Sequence, residues 1–519
     1  MRRSGLIGGV LAALLVSTLA AGCNSGGSDN ASVRPRHLPP VVVIVFDEFA
    51  ADTLNGPDGK IDAERFPNFA ALARISTWFP NGHTAYDSTF KAVPAILDSR
   101  LPRRGTAPDV RSHQPSIFNL LAKLGYGVVK VESASAVCPP RICPGARTRR
   151  PGVLKRLAGG GRPGRLDRWI GAIRRRSRPM FYFHHTLLPH EPWIYLPSGH
   201  RSRPVGNDPV EGINRPAGFG DPRLTDHNHL RHLLQVGFVD HELGLVLRRL
   251  RRTHQLRQSL LVVVADHGYS FRVGVKSRRL VSDANIEEIG PVPFFVKAPG
   301  QMHGAVNESL VRNMEVLPTV ADLLGVRIPW RIDGHSAFSD VVRDRDAVQI
   351  PTRDFSRVIR IGRAELERRR NELRLRQAAL FGTGAESDLL FGDPWAMAYR
   401  IGPDPELLDR RVADLHVVRA GGLRARVANA DLVRHVAPSA EILPTRVTGV
   451  LSDGGRAPRR LAAAVNGRIR AGGWSFHLGR RRREFFSFVV PEDAMHPGRN
   501  RVEVFEIKPG PVLVPLADL

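Results

Sequence analysis

Apolar runs that end in charged or histidine residues alternate along the chain with stretches in which apolar residues recur at helical spacing. The apolar runs are predicted strands, and they cover residues 39–49, 178–188, 261–271 and 290–300. The other stretches predict helices at 65–76, 229–253 and 315–326, and a helix, a glycine stop and a strand at 116–132. This alternation indicates an α/β fold, in which a mostly parallel sheet is sandwiched by helices.

The pattern changes after about residue 350. Residues 363–380 are predicted to form a charged helix with an apolar stripe, and shorter alternating segments follow. Asn466-Gly467 is a strong hairpin signal, and residues 498–500 predict another turn. We therefore expect three parts after the N-terminal region: a main domain, a helical linker and a small C-terminal β-rich domain. Their predicted bounds are 39–345, 346–384 and 385–519.

The first residues have the layout of a secretion signal. A basic start precedes the short apolar run Leu6 to Leu19, and small residues then lead to Cys23. This end resembles the lipobox of bacterial lipoproteins, which implies a signal peptide over residues 1–22 and a lipid on Cys23. Residues 23–38 are then a flexible tether. We expect a lipid-anchored protein on the outer face of the cell membrane; an ordinary signal with an incidental cysteine is the alternative.

Two further cysteines, Cys138 and Cys143, lie close together in a proline-rich segment. We expect them to form a small disulfide, because a secreted protein folds in an oxidising compartment. A metal-binding pair is the other interpretation, and it is disfavoured because no second cysteine or histidine pair lies nearby.

The formal net charge of +26 favours anionic partners. For a protein outside the cell these are membrane surfaces, envelope or cell-wall polymers and anionic substrates. Nucleic acid is disfavoured, because the arginines are spread through helices and loops and no DNA- or RNA-binding motif is present.

Acidic residues stand where two predicted strands end. Asp47 ends the first strand, and Asp266 and His267 end a later one. In sheets of this kind ligands bind outside the carboxyl ends of the strands, so these side chains are candidate metal ligands. An ordinary turn is the alternative for Asp266-His267. Between the two strands, residues 84–102 predict a polar turn that enters a helix, with Pro94 in or near its first turn. A helix start favours an anionic group.

In this order the motifs resemble the alkaline phosphatase superfamily, in its sulfatase-like branch. The resemblance covers about residues 40–340 and rests on "VIVFDEF", "RFPNFAALA", "STFKAVPAIL", "HHTLLPHEPWIYLPSG" and "VVVADHGYSF". The closing stretch "VPFFVKAPG…EVLPTVADLLGV…DGHS" also matches. The resemblance implies that Asp47, Asp266 and His267 bind a metal, with Glu48 as an additional ligand.

Around residue 89 the chain is similar to phosphoethanolamine and phosphoglycerol transferases. The similarity implies that Thr89 is both a metal ligand and the nucleophile, and that His190 binds substrate or assists the leaving group. The alternatives are a plain helix cap at Thr89, with Ser88 beside it, and a loop-capping role for His190. Lys91 is a candidate contact for the anion.

The departures from the family pattern narrow the function. Sulfatases that mature a formylglycine carry C-x-P-x-R or S-x-P-x-R at the nucleophile, whereas this chain has Thr89-Phe90-Lys91-Ala92-Val93. "CPPRI" at residue 138 has the wrong spacing and comes too late in the order. A classical sulfate-ester hydrolase is therefore disfavoured.

The imidazole ligand favours one manganese or zinc ion, with calcium as the remaining alternative. A second ion stays open. The histidines available for it are His184, His185, His190, His303 and His335.

We therefore expect a membrane-anchored, extracytoplasmic, metal-dependent hydrolase or transferase that acts on phosphate or sulfate esters through a threonine nucleophile. The alternatives are a formylglycine-independent sulfuric ester hydrolase and a non-catalytic envelope-binding lipoprotein. Asp240, inside the long predicted helix, is expected to be structural and to pair with an arginine.

Overall fold

A computed structural model describes most of the chain from residue 38 onward. The described residues are 38–146, 161–204, 219–275, 277–419, 421–428, 430–437, 441–452, 455, 457–478 and 483–518. The predicted signal peptide, the lipidation site Cys23 and the tether up to residue 37 lie outside them. Within the described ranges, no helix combines the length and the apolar character needed to cross a membrane.

A seven-stranded sheet forms the centre of the main domain, in the order β3-β4-β1-β5-β6-β2-β7. Its strands are β1 (Val41–Asp47), β2 (Thr77–Trp78), β3 (Gly127–Val131), β4 (Met180–Pro189), β5 (Leu260–Ala265), β6 (Phe294–Lys297) and β7 (Ala305–Val306). Strands β3, β4, β1 and β5 are parallel neighbours. Every residue of β1 and β5 is buried, as the continuous apolar runs predict for strands covered on both faces. The predicted mostly parallel α/β sheet is confirmed.

Strand β6 is the exception, because it runs antiparallel to β5. A parallel pair needs a crossover, usually a long helix, and residues 266–293 contain only a four-residue helix in their described part. The chain therefore turns back along the same edge of the sheet.

Eight helices of the described residues belong to the main domain. They are α1 (Pro67–Ala73), α2 (Thr89–Asp98), α3 (Ile117–Lys123), α4 (Arg162–Ala172), α5 (Pro222–Arg252), α6 (Ile286–Ile289), α7 (Val316–Leu323) and α8 (Asp340–Arg343). Helix α5 starts seven residues before its predicted start, because Asp221 caps the amides of Arg223 and Leu224 and Pro222 occupies the first position.

Pro94 lies near the first turn of its helix, as predicted, but not within that turn. Helix α2 already begins at Thr89, so Pro94 lies in its second turn, inside the helix. The helix ends four residues later at Asp98, where Ser99 adopts a left-handed φ of 56°.

The predicted linker contains a hairpin before its helix. Strands β8 (Ala347–Pro351) and β9 (Val358–Gly362) pair, and helices α9 (Arg363–Phe381) and α10 (Gly384–Phe391) follow. The apolar stripe predicted on α9 is only partly present, because Arg370 and Arg374 are buried on that face with Leu366 and Leu373. Both arginines contact the buried carboxylate of Asp52.

The C-terminal part is β-rich, as predicted. It contains a five-stranded sheet, β15-β16-β12-β10-β20, and a four-stranded sheet, β14-β13-β18-β19. The elements are β10 (Arg424–Val427), α11 (Ala430–Arg434), β11 (His435–Val436), β12 (Arg446–Leu451), β13 (Arg460–Val465), β14 (Arg468–Trp474), β15 (Phe476–His477), β16 (Glu484–Val489), β17 (Gly498–Arg499), β18 (Val502–Lys508), β19 (Val512–Pro515) and β20 (Ala517–Asp518).

One of the two turn signals in this part is confirmed. Asn466 and Gly467, with φ of 52° and 79°, join β13 to β14 in a two-residue hairpin. The second prediction is wrong in part, because Gly498–Arg499 pairs with His435–Val436 as a short strand.

Candidate metal and active site

The carboxyl ends of β1 and β5 bring Asp47 and Asp266 together. The two strands are adjacent and in register up to Phe46 and Ala265, so the next residue of each leaves the sheet at the same point. Asp47, Asp266 and His267 are all buried, and one ligand atom from each lies within 4.8 Å of the others. The three predicted ligands therefore form one cluster.

Thr89 completes this cluster from the other side. Its hydroxyl oxygen lies 3.3 Å from Asp47 Oδ1 and 3.3 Å from His267 Nε2. His267 Nδ1 is 2.9 Å from the carbonyl of Gly268, so Nδ1 donates there and Nε2 presents its lone pair towards the cluster. Because α2 begins at Thr89, the positive end of the helix dipole faces the same point.

The backbone around Asp266 is held by neutral side chains. Asn313 Nδ2 donates to the carbonyl of Asp266 at 2.7 Å, and the Thr84 hydroxyl donates to the same oxygen at 2.5 Å. Gly268 has no room for a side chain, since a Cβ there would overlap the carbonyl of Glu288. This close approach explains why glycine follows Asp266 and His267.

The electrostatics of the cluster favour a bound cation. Burial raises the pKa of Asp47 well above its usual range, and the charges of Asp266 and Glu48 raise it further. Burial also raises the pKa of Asp266. Asp266 Oδ2 is a buried oxygen without a hydrogen-bond partner. Two close carboxylates, an imidazole nitrogen and a hydroxyl are a fitting donor set for a divalent ion such as manganese or zinc.

Glu48 lies in a second cluster, which shares Asp47 with the first. Ligand atoms of Asp47, Glu48 and His190 lie within 4.8 Å of one another. Glu48 Oε1 is 3.3 Å from His190 Nε2 and makes a short ion pair with Arg279. Burial alone would raise the pKa of Glu48, but Arg279 and His190 outweigh it and lower it to about 2. The predicted role of Glu48 as an additional ligand stays a prediction: its carboxylate shares a candidate ligand group with Asp47 and also pairs with Arg279.

The position of His190 is fixed by hydrogen bonds from two side chains to backbone carbonyls in and around it. Arg162 donates to the carbonyls of Leu187 and Pro192, and Gln235 Nε2 donates to the carbonyl of His190 at 2.9 Å. His190 Nδ1 lies 2.7 Å from the carbonyl of Glu191, so its Nε2 faces Glu48 and Arg279.

Arg279 and Arg162 were missed by sequence reasoning. Arg279 also lies 3.1 Å from Glu191 and stacks near the ring of Tyr269, but it follows a segment without a periodic pattern. Arg162 is buried at the first turn of α4, a helix that the sequence pattern did not predict.

Two side chains have other roles than expected. Lys91 Nζ donates to the carbonyls of Arg103 and Thr106 and so anchors a loop, which contradicts its predicted contact with the anion. Asp240 is structural, as expected, but it caps α1 by accepting from the amides of Asn68 and Phe69 rather than pairing with an arginine.

The remaining histidines divide by position. His185 Nε2 is 4.0 Å from Asp47 Oδ2, whereas His184 packs against Trp169. His303 and His335 are exposed and take no part in either cluster. Of the five histidines considered for a second ion, only His190 belongs to a candidate ligand group of the described residues. The predicted disulfide between Cys138 and Cys143 is present.

A mostly parallel sheet with acidic strand ends, an Asp-His-Gly turn and a hydroxyl at a helix start defines a fold of the alkaline phosphatase and sulfatase type. In agreement, a family model described as "Sulfatase" matches residues 165–326, which include His190, Asp266 and His267. This segment of the chain, about a third of its length, is therefore similar to the sulfatase family.

The relatives are distant. The choline-sulfatase of Rhizobium meliloti is 23% identical over 374 residues, which cover 56% of this chain and 69% of the relative. The extracellular sulfatase SULF-1 homolog of Drosophila melanogaster is 26% identical over 171 residues, 30% of this chain and only 15% of that protein. Among solved structures, the phosphonate monoester hydrolase of Agrobacterium radiobacter is 16% identical, with a TM-score of 0.43 over 63% of this chain and 82% of its own.

Proposed function

We propose that this protein is a metal-dependent hydrolase or transferase of phosphate esters that uses Thr89 as its nucleophile. One observation carries the proposal: the Thr89 hydroxyl lies 3.3 Å from both Asp47 and His267 at the start of α2. A threonine that merely capped the helix would have no need of two buried metal-ligand side chains.

Asp47, Asp266, His267 and Thr89 would hold one divalent ion, with manganese or zinc favoured by the imidazole. When bound, the ion supplies a positive charge that lowers the pKa of a neighbouring hydroxyl and offsets the charge of an anionic ester. Thr89 donates a hydrogen bond to Asp47 Oδ1, which fixes the orientation of its hydroxyl group.

In the first step the Thr89 hydroxyl gives up its proton to solvent, its oxygen forms a bond to phosphorus, and the bond from phosphorus to the leaving oxygen breaks. We assign to His190, beside Glu48 and Arg279, the role of binding the substrate or assisting the leaving oxygen. In the second step water or an acceptor hydroxyl attacks the phosphothreonine, and the Thr89 oxygen is released. Hydrolase and transferase activity differ only in this second nucleophile.

Sulfate-ester hydrolysis without formylglycine is the second candidate. The sulfatase family match at residues 165–326 favours it, whereas threonine at position 89 favours phosphate. The relatives named above include both sulfatases and a phosphonate monoester hydrolase.

The test uses the purified full chain with manganese or zinc and two substrates, bis-p-nitrophenyl phosphate and p-nitrophenyl sulfate. We expect turnover of the phosphate diester to be lost in Thr89→Ala and largely kept in the matched control Ser88→Ala. Faster turnover of the aryl sulfate would favour the second candidate. No turnover of either ester, together with no bound divalent ion, would favour a non-catalytic envelope-binding protein.

The proposed location is the outer face of the cell membrane, with a lipid on Cys23. The Cys138–Cys143 disulfide supports an oxidising compartment, and the signal-like sequence of residues 1–22 supports export. Fractionation of cells that express Cys23→Ser tests the anchor. We expect that variant to leave the membrane fraction, and its full retention there would contradict lipid anchoring at Cys23.

A further inference from the structure

The amino ends of the central strands lie opposite the candidate site, and the loops there carry a cluster of exposed arginines, the amino-edge patch. It consists of Arg174, Arg175, Arg176, Arg178, Arg248, Arg251, Arg252 and Arg257. The first four lie between α4 and β4, and the last four lie at the end of α5 and in the loop that follows it. Hydrogen bonds join the two segments, because the Arg249 side chain donates to the carbonyls of Ile173 and Gly171 at 2.8 and 2.9 Å.

These arginines lie in segments without acidic residues of their own, although Arg248 is close enough to Glu242 in α5 to lower the pKa of that carboxyl. Residues 171–180 and 243–260 contain no aspartate or glutamate. Within the described part of the chain, none of the eight arginines lies in an ion pair with a carboxylate. Elsewhere on the surface arginines are commonly paired, as Arg357 is with Asp283 and Arg368 with Glu365.

The chain enters the fold at the same edge. The carbonyl of Pro40 accepts from the amide of Leu260, and Tyr126 donates to the carbonyl of Pro39 at 2.8 Å. The first residue of β1 pairs with Phe181 in β4 and with Leu260 in β5, the strands that follow the two arginine segments. Leu38 therefore lies beside the amino-edge patch, and Cys23 is fifteen residues earlier.

We infer that the amino-edge patch docks on an anionic lipid bilayer. Eight exposed arginines on one surface, none of them in an ion pair among the described residues, complement the negative charge of anionic headgroups. Arg and Lys near such a surface favour binding by about five-fold each. A lipid-anchored chain that emerges at this edge would bring the patch to the bilayer first. Strand β1, seven residues long, would then hold the candidate site about 20 Å further from the bilayer.

The test compares two sets of four substitutions in the full chain. The patch set changes Arg175, Arg176, Arg251 and Arg252 to Gln. The control set makes the same charge change at Arg411, Arg419, Arg426 and Arg499, which are exposed in the C-terminal part. That part contacts the opposite end of α5, where His227 lies 3.0 Å from Ser487.

Binding is measured by co-sedimentation with vesicles of phosphatidylcholine alone or with 30% phosphatidylglycerol added. The N-terminal anchoring segment contributes to both kinds of vesicle, so the ratio of the two partition coefficients reports the charge. We expect the patch set to lower this ratio at least about 30-fold and the control set less than about 3-fold. High salt should abolish the preference of the parent protein.

Equal losses in the two sets, or no preference of the parent for phosphatidylglycerol, would overturn the inference. Patch-dependent binding to soluble dextran sulfate without binding to the vesicles would also overturn it and would assign the patch to an anionic polymer. Ester turnover by the patch set should equal that of the parent, because the patch lies at the other edge of the sheet. The inference therefore does not depend on the chemistry at Thr89.

Discussion

Two groups of buried carboxylates in this protein have pKa values that are shifted in opposite directions. Asp52 and Glu48 are covered by the protein's own arginines, and the pKa of each is lowered although burial alone would raise it. Asp47 and Asp266 make no ion pair with an arginine of the described residues, and burial raises the pKa of both, although Arg279 partly offsets the rise at Asp47. A buried carboxylate pair without an arginine partner can be neutralised by a bound cation or by a proton, whereas the arginine-paired carboxylates are already neutralised within the fold.

The largest expected effect comes from removing one charge in each group. Asp266→Asn should lower kcat/KM for bis-p-nitrophenyl phosphate by about 10³- to 10⁴-fold and abolish metal binding, because it removes a ligand. Glu48→Gln should keep the metal and lower kcat/KM by only about 10- to 100-fold, through a misplaced His190 and Arg279. Metal content and turnover of both variants check the comparison. Equal metal loss would make Glu48 a ligand and erase the difference between the groups.

Asp52→Asn should cost about 3–5 kcal/mol of unfolding free energy, because Arg370 and Arg374 then keep buried charges without a counterion. Denaturant unfolding measures this loss. The matched control is Asp346→Asn at an exposed pair with Arg360, for which a loss below about 1 kcal/mol is expected. A loss as small at Asp52 would show that α9 does not depend on this network.

Removal of the metal should lower the unfolding free energy through the loss of its contacts with Asp47 and Asp266. Manganese or zinc at 100 times its Kd should raise the unfolding free energy by about 2.7 kcal/mol, and a chelator should reverse the gain. Thermal unfolding with and without the ion measures the effect, with Asp266→Asn as the control that should not respond. An equal response in that variant would place the ion elsewhere.

Glu242 shows a third response to burial. It lies inside α5 without an ion pair, and burial, with Asp167 second, raises its pKa to about 8. The folded state then binds a proton that the unfolded state releases above its ordinary pKa near 4.5. Unfolding free energy should therefore fall as pH rises from 5 to 8, by up to about 1.4 kcal/mol per pH unit.

Glu242→Gln should flatten that fall, whereas the exposed control Glu406→Gln should leave it unchanged. Denaturant unfolding at pH 6 and pH 7.5 suffices for the comparison. A slope that persists in Glu242→Gln would assign the proton to another group.

Sequence reasoning found the residues that strand patterns point to. Asp47 and Asp266 follow buried apolar runs, and the topology of parallel strands brings such ends together. Thr89 was found because a helix start and a family motif coincide. The orientation of Glu48 was not predictable, because it depends on Arg279, which comes from a loop 231 residues away.

The misses in the fold have similar local causes. The start of α5 is set by the cap Asp221 and by Pro222, which lie before the periodic stretch that predicted the helix. The apolar sequence pattern of β6 is the same as that of the parallel strands. Its antiparallel direction follows from the lack of a long crossover helix among the described residues 266–293. Apolar periodicity fixes which residues are buried more firmly than it fixes direction or ends.

The backbone turn at Glu48 limits the insertions and deletions that homologous sequences can accept at this point. Successive strand residues point to opposite faces, so Asp47 and Glu48 would separate if β1 simply continued. The left-handed φ of 63° at Glu48 breaks the alternation and turns both carboxylates to one side. A single-residue insertion or deletion at this point would divide the site in two, and homologues should therefore tolerate length changes in their surface loops but none between positions 46 and 49.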